Sequence, residues 1–132
     1  MRPEELRVYP RKALVLPVKL QSVDTSDTKG NRPSLRFESV TRDISLGGLL
    51  VELREKAQGL DPNWQPIWFR DRFFWVHIMG IHTIPDGIFT KAKAVRLVGE
   101  DDTHPEALGL AFQDLPESIM KRLKEFLDSA RI

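Results

Sequence analysis

The chain has no cysteine in its 132 residues. Disulfides, thiolate nucleophiles and cysteine-held zinc are therefore excluded. Histidine is scarce: His77, His82 and His104 are the only three. None stands in HExxH or another metal-ligand spacing. His77 lies in an apolar stretch, where a strand histidine with a satisfied ring is the ordinary reading. There is no glycine-rich phosphate loop. Ser45 is followed by Leu46, Gly47 and Gly48, so the GxSxG elbow of a serine hydrolase is missing. Asp101 and Asp102 fall in GEDDTHPE, which reads as a solvated acidic loop. No catalytic residue, metal site or resident cofactor is expected, and the chain does not read as an enzyme.

An excess of either charge is also lacking. Twenty Lys and Arg face nineteen Asp and Glu, for a formal net charge of +1. That balance argues against holding DNA or RNA by bulk charge, but leaves room for a small anion at a local basic spot. Long hydrophobic runs are absent too. The stretch from Phe73 to Ile81 is interrupted by His77 and Gly80 and falls far short of the ~20 residues of a membrane span. The start, MRPEELRVYP, has no apolar core of a secretory leader. A cytoplasmic protein without membrane insertion is expected.

What is present is one domain's worth of residues, 41% of them hydrophobic. Residues 1–11 form a polar arm in which Pro3 and Pro10 oppose helix. Within residues 1–20, five basic side chains (Arg2, Arg7, Arg11, Lys12, Lys19) face Glu4 and Glu5, so this end is locally basic. An arm of this kind is expected to be mobile. Residues 12–20 alternate as a strand, with Leu14, Leu16, Val18 and Leu20 on one face and Pro17 suggesting an edge or a bulge. Residues 21–34 read as a long hairpin loop and 35–42 as a strand. The turn DISLGG follows, then a strand at 49–53. Residues 88–98 and 107–113 complete the strand pattern. Ile119, Met120, Leu123, Phe126, Leu127 and Ala130 then follow helical spacing, with Asp114 as the expected cap and Pro116 in the first turn. About six strands and one terminal amphipathic helix suggest a small antiparallel barrel with the helix packed on it.

Residues 64–79 hold six of the eleven aromatics. On a regular strand, Ile67, Phe69, Phe73, Trp75 and Met79 would share one face and Trp68, Phe74, Val76 and Ile78 the other. Apolar residues on both faces ordinarily mean burial, one face towards the barrel and one beneath the helix. The alternative is an exposed patch for a dimer mate or an effector.

Two short sets remain. Arg7-Val8-Tyr9-Pro10-Arg11 is an R-x-x-x-R pair on a segment that Pro10 keeps from being a helix. Asp43-Ile44-Ser45-Leu46-Gly47-Gly48 reads D-x-S-x-x-G, a pattern that an ordinary turn can also carry. Taken together and in this order, ahead of a first strand and at a later strand junction, they resemble the PilZ family, bacterial receptors for cyclic di-GMP. The resemblance covers nearly the whole chain, including the strand Leu108-Gly109-Leu110-Ala111-Phe112 and the closing helix. The long loop at 21–34 and the aromatic segment depart from it.

The resemblance implies a mainly β fold, a small six-stranded antiparallel (Greek-key or split) β-barrel at 12–113, with the arm at 1–11 and a C-terminal amphipathic α-helix at 114–131, in a single domain over 1–132. It implies cyclic di-GMP as ligand, held by Arg7, Arg11, Asp43, Ser45 and Gly48. Arginine offers a planar fork that bonds phosphate bidentately, pairs with guanine O6 and N7, or stacks on a base. Asp43 can accept from guanine N1–H and the exocyclic amine, and Ser45 can donate to a phosphate or base acceptor. Gly48 allows positive φ or close backbone approach. Leu6 occupies the position that, in the family, bears on whether one nucleotide or a stacked pair binds; an apolar residue leans towards one. The expected mechanism is ordering of the arm, relayed to a separate protein effector. The competing readings are a PilZ-like adaptor that binds no nucleotide and an oligonucleotide-binding barrel using Tyr9 and nearby basic residues; a homodimer through the aromatic patch or the helix is compatible with each. The charge balance counts against the oligonucleotide reading.

Overall fold

A computed structural model describes residues 10–23, 32–99 and 105–129. Six antiparallel strands close into a barrel in the order β1-β2-β3-β6-β5-β4. They are β1 (Pro17–Ser22), β2 (Arg36–Ile44), β3 (Gly48–Glu52), β4 (Phe73–Ile78), β5 (Ile88–Val98) and β6 (Ala107–Gln113). A 3-10 turn spans Pro66–Trp68, and the helix α1 spans Glu117–Ser129. This is the mainly β barrel with a C-terminal helix that the sequence led to. Closure leaves none of the six strands with an open hydrogen-bonding edge.

The period of two decides which side chains fill the barrel. In β1, Val18, Leu20 and Ser22 are buried while Pro17, Lys19 and Gln21 face out. In β4, Phe74, Val76 and Ile78 are completely buried. In β5, Ile88, Thr90, Ala92 and Ala94 point inward. Burying each large aliphatic or aromatic side chain contributes about 1.5–3 kcal/mol. Leu123, Phe126 and Leu127 of α1 join the same core. The helix is further held where Thr83 donates to the carbonyl of Arg122 at 3.0 Å and His82 meets the Phe126 ring edge-on.

Several boundaries differ from the sequence reading. The first strand starts at Pro17, not Lys12. The cause is Thr41, whose hydroxyl accepts from the Leu16 amide at 2.9 Å and donates to the Leu14 carbonyl. The Leu16 carbonyl still accepts from the Thr41 amide at 2.9 Å, but the side chain takes the other two bonds of the ladder just before Pro17. Pro17 lies at neither an edge nor a bulge. It opens its strand, where its missing N–H costs nothing, and its carbonyl accepts from Met79 at 2.9 Å. The strand β2 runs two residues further than expected, through Asp43 and Ile44. The helix begins at Glu117, with the Pro116 carbonyl accepting its first bond, from Met120. Asp114, expected as the cap, instead adopts φ 53° three residues earlier. Ala130 and the expected end of the helix at 131 lie outside the described residues.

The aromatic segment is not one regular strand. The 3-10 turn and Asp71, at φ 54°, break its period before β4 begins. Phe69 therefore turns into the core at 0% exposure. It sits between Trp64, Phe37 and Phe74, with ring centroids 5.3–6.2 Å away. Phe73 and Trp75 face outward at 36% and 39% exposure. They are not beneath the helix.

Candidate functional site

The strand β2 carries a bulge that creates the site. Thr41 pairs with Val51 and Asp43 with Leu50, so two residues of β2 face one of β3. Inward positions are Phe37, Ser39 and Thr41 before the bulge and Ile44 after it. Without the extra residue Asp43 would take the inward position of an odd-numbered neighbour. The bulge turns its carboxylate out of the core, which is how bulges re-aim side chains beside functional sites. The bulged Arg42 is clamped from outside. Its Nε and Nη2 donate to Glu52 Oε1 at 3.0 and 2.7 Å, and Nη1 lies 3.9 Å from Glu106 Oε2. Glu52 also accepts from the amides of Leu53 and Arg54, at 3.2 and 3.4 Å.

The turn between β2 and β3 is tight. Ser45 donates its amide to the Gly48 carbonyl at 2.9 Å, and its Oγ accepts from the Gly47 amide at 3.1 Å. The Gly47 carbonyl accepts from Phe112 at 2.9 Å, which ties the turn to β6. Gly48 is required by proximity rather than by backbone angle. Its φ is not among the positive ones, and an added Cβ would collide with the Leu110 carbonyl oxygen. Of the two reasons the sequence allowed for this glycine, only close approach holds.

The described end of the arm is pinned at this turn. Lys12 and Ile44 exchange both backbone bonds, at 2.9 and 3.0 Å. That bridge sets Arg11 beside Asp43, with Arg11 Nη1 3.9 Å from Asp43 Oδ2. Both side chains keep part of their surface in solvent, 33% and 21%. Arg11 and the turn, about thirty residues apart in sequence, thus meet at one place. Arg11, Asp43, Ser45 and Gly48 are brought together. Arg7, Leu6 and Tyr9 lie outside the described residues, as do His104, Asp101 and Asp102.

Three features were missed in the sequence. Three of the four outward positions next to the turn are small: Gly48 pairs with Ala111, and Leu50 with Gly109. Gly48 and Ala111 make a low floor at the turn end of the two strands, with the Leu50 side chain and the Arg96 stem rising beside it. Arg96 borders this floor, its stem over Gly109 only 2.7 Å from where a Cβ would stand. Lys93 borders it as well, paired to Ala111. The third feature is the Arg42–Glu52 clamp. Small residues alternating outward in 107–113 were a readable signal. The clamp was not, because it depends on the bulge. His77 is a satisfied strand residue, its Nε2 3.0 Å from the Asp86 carbonyl. Among the described residues, no group of three or more His, Cys, Asp or Glu could hold a metal ion. No described helix is long and apolar enough to cross a membrane.

Residues 5–129 match the family model described as PilZ domain. No match was found among curated proteins. Among solved structures, the chain is similar to the Bacillus subtilis inhibitor of motility MotI/DgrA, with a TM-score of 0.57 and 18% identity over 95% of this chain. It spans 53% of that protein's chain, about half its length. It is also similar to the PilZ domain of CeSA from a cellulose-synthesizing bacterium, with a TM-score of 0.54 and 12% identity, covering 90% of this chain and 95% of that one. A third structure is the PilZ domain of Escherichia coli YcgR with c-di-GMP, with a TM-score of 0.53 and 17% identity, covering 93% and 89%. At such identities the likeness is one of fold.

Proposed function

We propose that this chain, which belongs to the PilZ domain family, is a receptor for cyclic di-GMP that acts through a separate protein. Arg7, Arg11, Asp43, Ser45 and Gly48 form the site. The observation that carries this reading is the Lys12–Ile44 bridge, which sets the second arginine of the arm against the D-x-S-x-x-G turn. The YcgR domain with c-di-GMP supports the choice of ligand.

In this reading Arg11 takes a phosphate or a guanine edge with its fork, at the rim of the Gly48–Ala111 floor. Arg7 lies four residues earlier and reaches at most ~13 Å along an extended chain, enough to close over the opposite side of one dinucleotide. Asp43 reads guanine by accepting from N1–H and the exocyclic amine, a donor pair that adenine lacks. Ser45 accepts from the Gly47 amide with one lone pair and keeps its proton to donate to the ligand. Gly48 keeps the turn flat against β6. The ligand's closed ring limits its conformers, so binding loses less ordering entropy. Drawing the arm onto the barrel changes the surface a partner meets, and differential contact with that ordered state makes the chain a switch.

Calorimetric titration with cyclic di-GMP, cyclic di-AMP and GTP tests this reading. Binding is expected for the first alone. A second reading, an adaptor that works by protein contact without nucleotide, is favoured by the exposed aromatic side chains Phe73, Trp75 and Phe89. Absence of heat with every nucleotide would leave that reading standing.

A further inference from the structure

The outer surface of β1, β4 and β5 carries aromatic rings where a barrel ordinarily shows polar groups to water. Phe73, Trp75 and Phe89 are 36%, 39% and 68% exposed. Pairing across the strands makes them neighbours: Phe73 faces Lys93, Trp75 faces Lys91, and His77 faces Phe89. Trp75 and Phe89 lie parallel, 9° apart with centroids at 5.8 Å. The ammonium groups of Lys91 and Lys93 stand 5.0 and 5.8 Å from the centre of the Phe73 ring. Such a patch, apolar and rimmed by polar groups, marks a surface that meets another molecule.

Its charge says which kind. The same rows continue onto β2, where Gln21 pairs with Arg36 and Lys19 with Glu38. A groove of about 510 Å³ runs there between Trp75, Phe89 and Arg36. Lys19, Arg36, Lys91 and Lys93 thus surround the rings. On these rows Glu38 is the one described carboxylate, and Lys19 already holds it at 3.5 Å. We infer that this face docks an amphipathic helix of a protein partner, its apolar stripe on Phe73, Trp75 and Phe89 and its flanking carboxylates on the four cations.

Three observations select this occupant. The barrel is closed, so a partner cannot add as a strand and must lie across the surface. Trp75 and Phe89 each turn one face to the other and two ammonium groups stand over Phe73, which reduces the platform for successive stacked bases. A second copy meeting the same patch about a two-fold axis would set cation against cation. The inference does not depend on nucleotide binding.

The test uses the full chain, isotope-labelled, titrated with a short amphipathic peptide of Leu and Glu. Its Leu and Gln counterpart and an oligothymidylate serve as controls. The expected result is a saturable shift of the Trp75 indole and of the Phe73, Phe89, Lys91 and Lys93 amides. The Gln peptide should bind on the order of tenfold more weakly, and so should the Lys91→Glu/Lys93→Glu variant towards the Glu peptide. Trp75→Ser/Phe89→Ser, which changes outward side chains only, should abolish the shifts with the melting curve kept. Shifts confined to another face would overturn the inference. So would equal affinity for the Glu and Gln peptides, tighter binding of the oligothymidylate, or self-association of the parent that the Ser variant removes.

Discussion

At position 48 a methyl group would meet the Leu110 carbonyl oxygen, part of the β6 backbone, which cannot swing aside as a side chain can. Gly48→Ala is expected to cost about 1–3 kcal/mol, the range for overpacking. Urea denaturation should show the lower midpoint. At Gly109 the obstacle is the stem of Arg96, a flexible side chain, so Gly109→Ala should cost less in the same assay. Both residues were visible in the sequence as glycines, but only the pairing of β3 and β6 tells which backbone each one touches. Asp43 is similar. Its type and its place in D-x-S-x-x-G were legible, whereas its outward aim comes from a bulge that exists only between two strands. Replacing Asp43 with Ala should weaken cyclic di-GMP roughly tenfold or more, as loss of hydrogen bonds to a charged group does, read by titration.

Elements whose pattern is local were legible, and those shaped by a distant partner were not. Residues 88–98 and 107–113 alternate strongly, and both strands form over those spans. The start of β1 was misread because Leu14 and Leu16 keep the alternation while Thr41, twenty-five residues from Leu16, takes over their hydrogen bonds. The same Thr41 is nearly fully buried, at 1% exposure. Thr41→Val keeps its shape and leaves the Leu16 amide and Leu14 carbonyl without that partner. A loss of about 1–3 kcal/mol is expected, with faster hydrogen exchange at the Leu16 amide as the local readout. In the aromatic segment, apolar residues on both faces hid the break at Asp71. Side chains two apart in a strand share a face, but a turn between Phe69 and Phe73 sends one inward and the other out.

On the scale of the whole molecule, the barrel joins the candidate nucleotide site to the aromatic face by a single row of paired residues. Gly48 pairs with Ala111, Ala111 with Lys93, and Lys93 with Phe73. Three of six strand spacings, at ~4.8 Å each, carry the row about 14 Å along the wall and halfway round the closed barrel. A ligand at the turn and a partner on the aromatic face would therefore occupy opposite sides of one barrel, linked through its strand pairing. The helix closes the core at another place, and Leu123, at 0% exposure, anchors it. Leu123→Ala should cost about 2–5 kcal/mol, seen as a lower melting temperature in calorimetry. Sequence order gave no hint of this row, since Gly48 and Phe73 are twenty-five residues apart and separated by a loop. In the proposed function, Arg11, pinned beside Asp43, binds cyclic di-GMP. Isothermal titration of the parent and of Arg11→Ala tests it most directly. Saturable binding on the order of micromolar or tighter is expected for the parent and a 10- to 100-fold loss in the variant, with its melting curve unchanged. Equal affinity of parent and variant would contradict it.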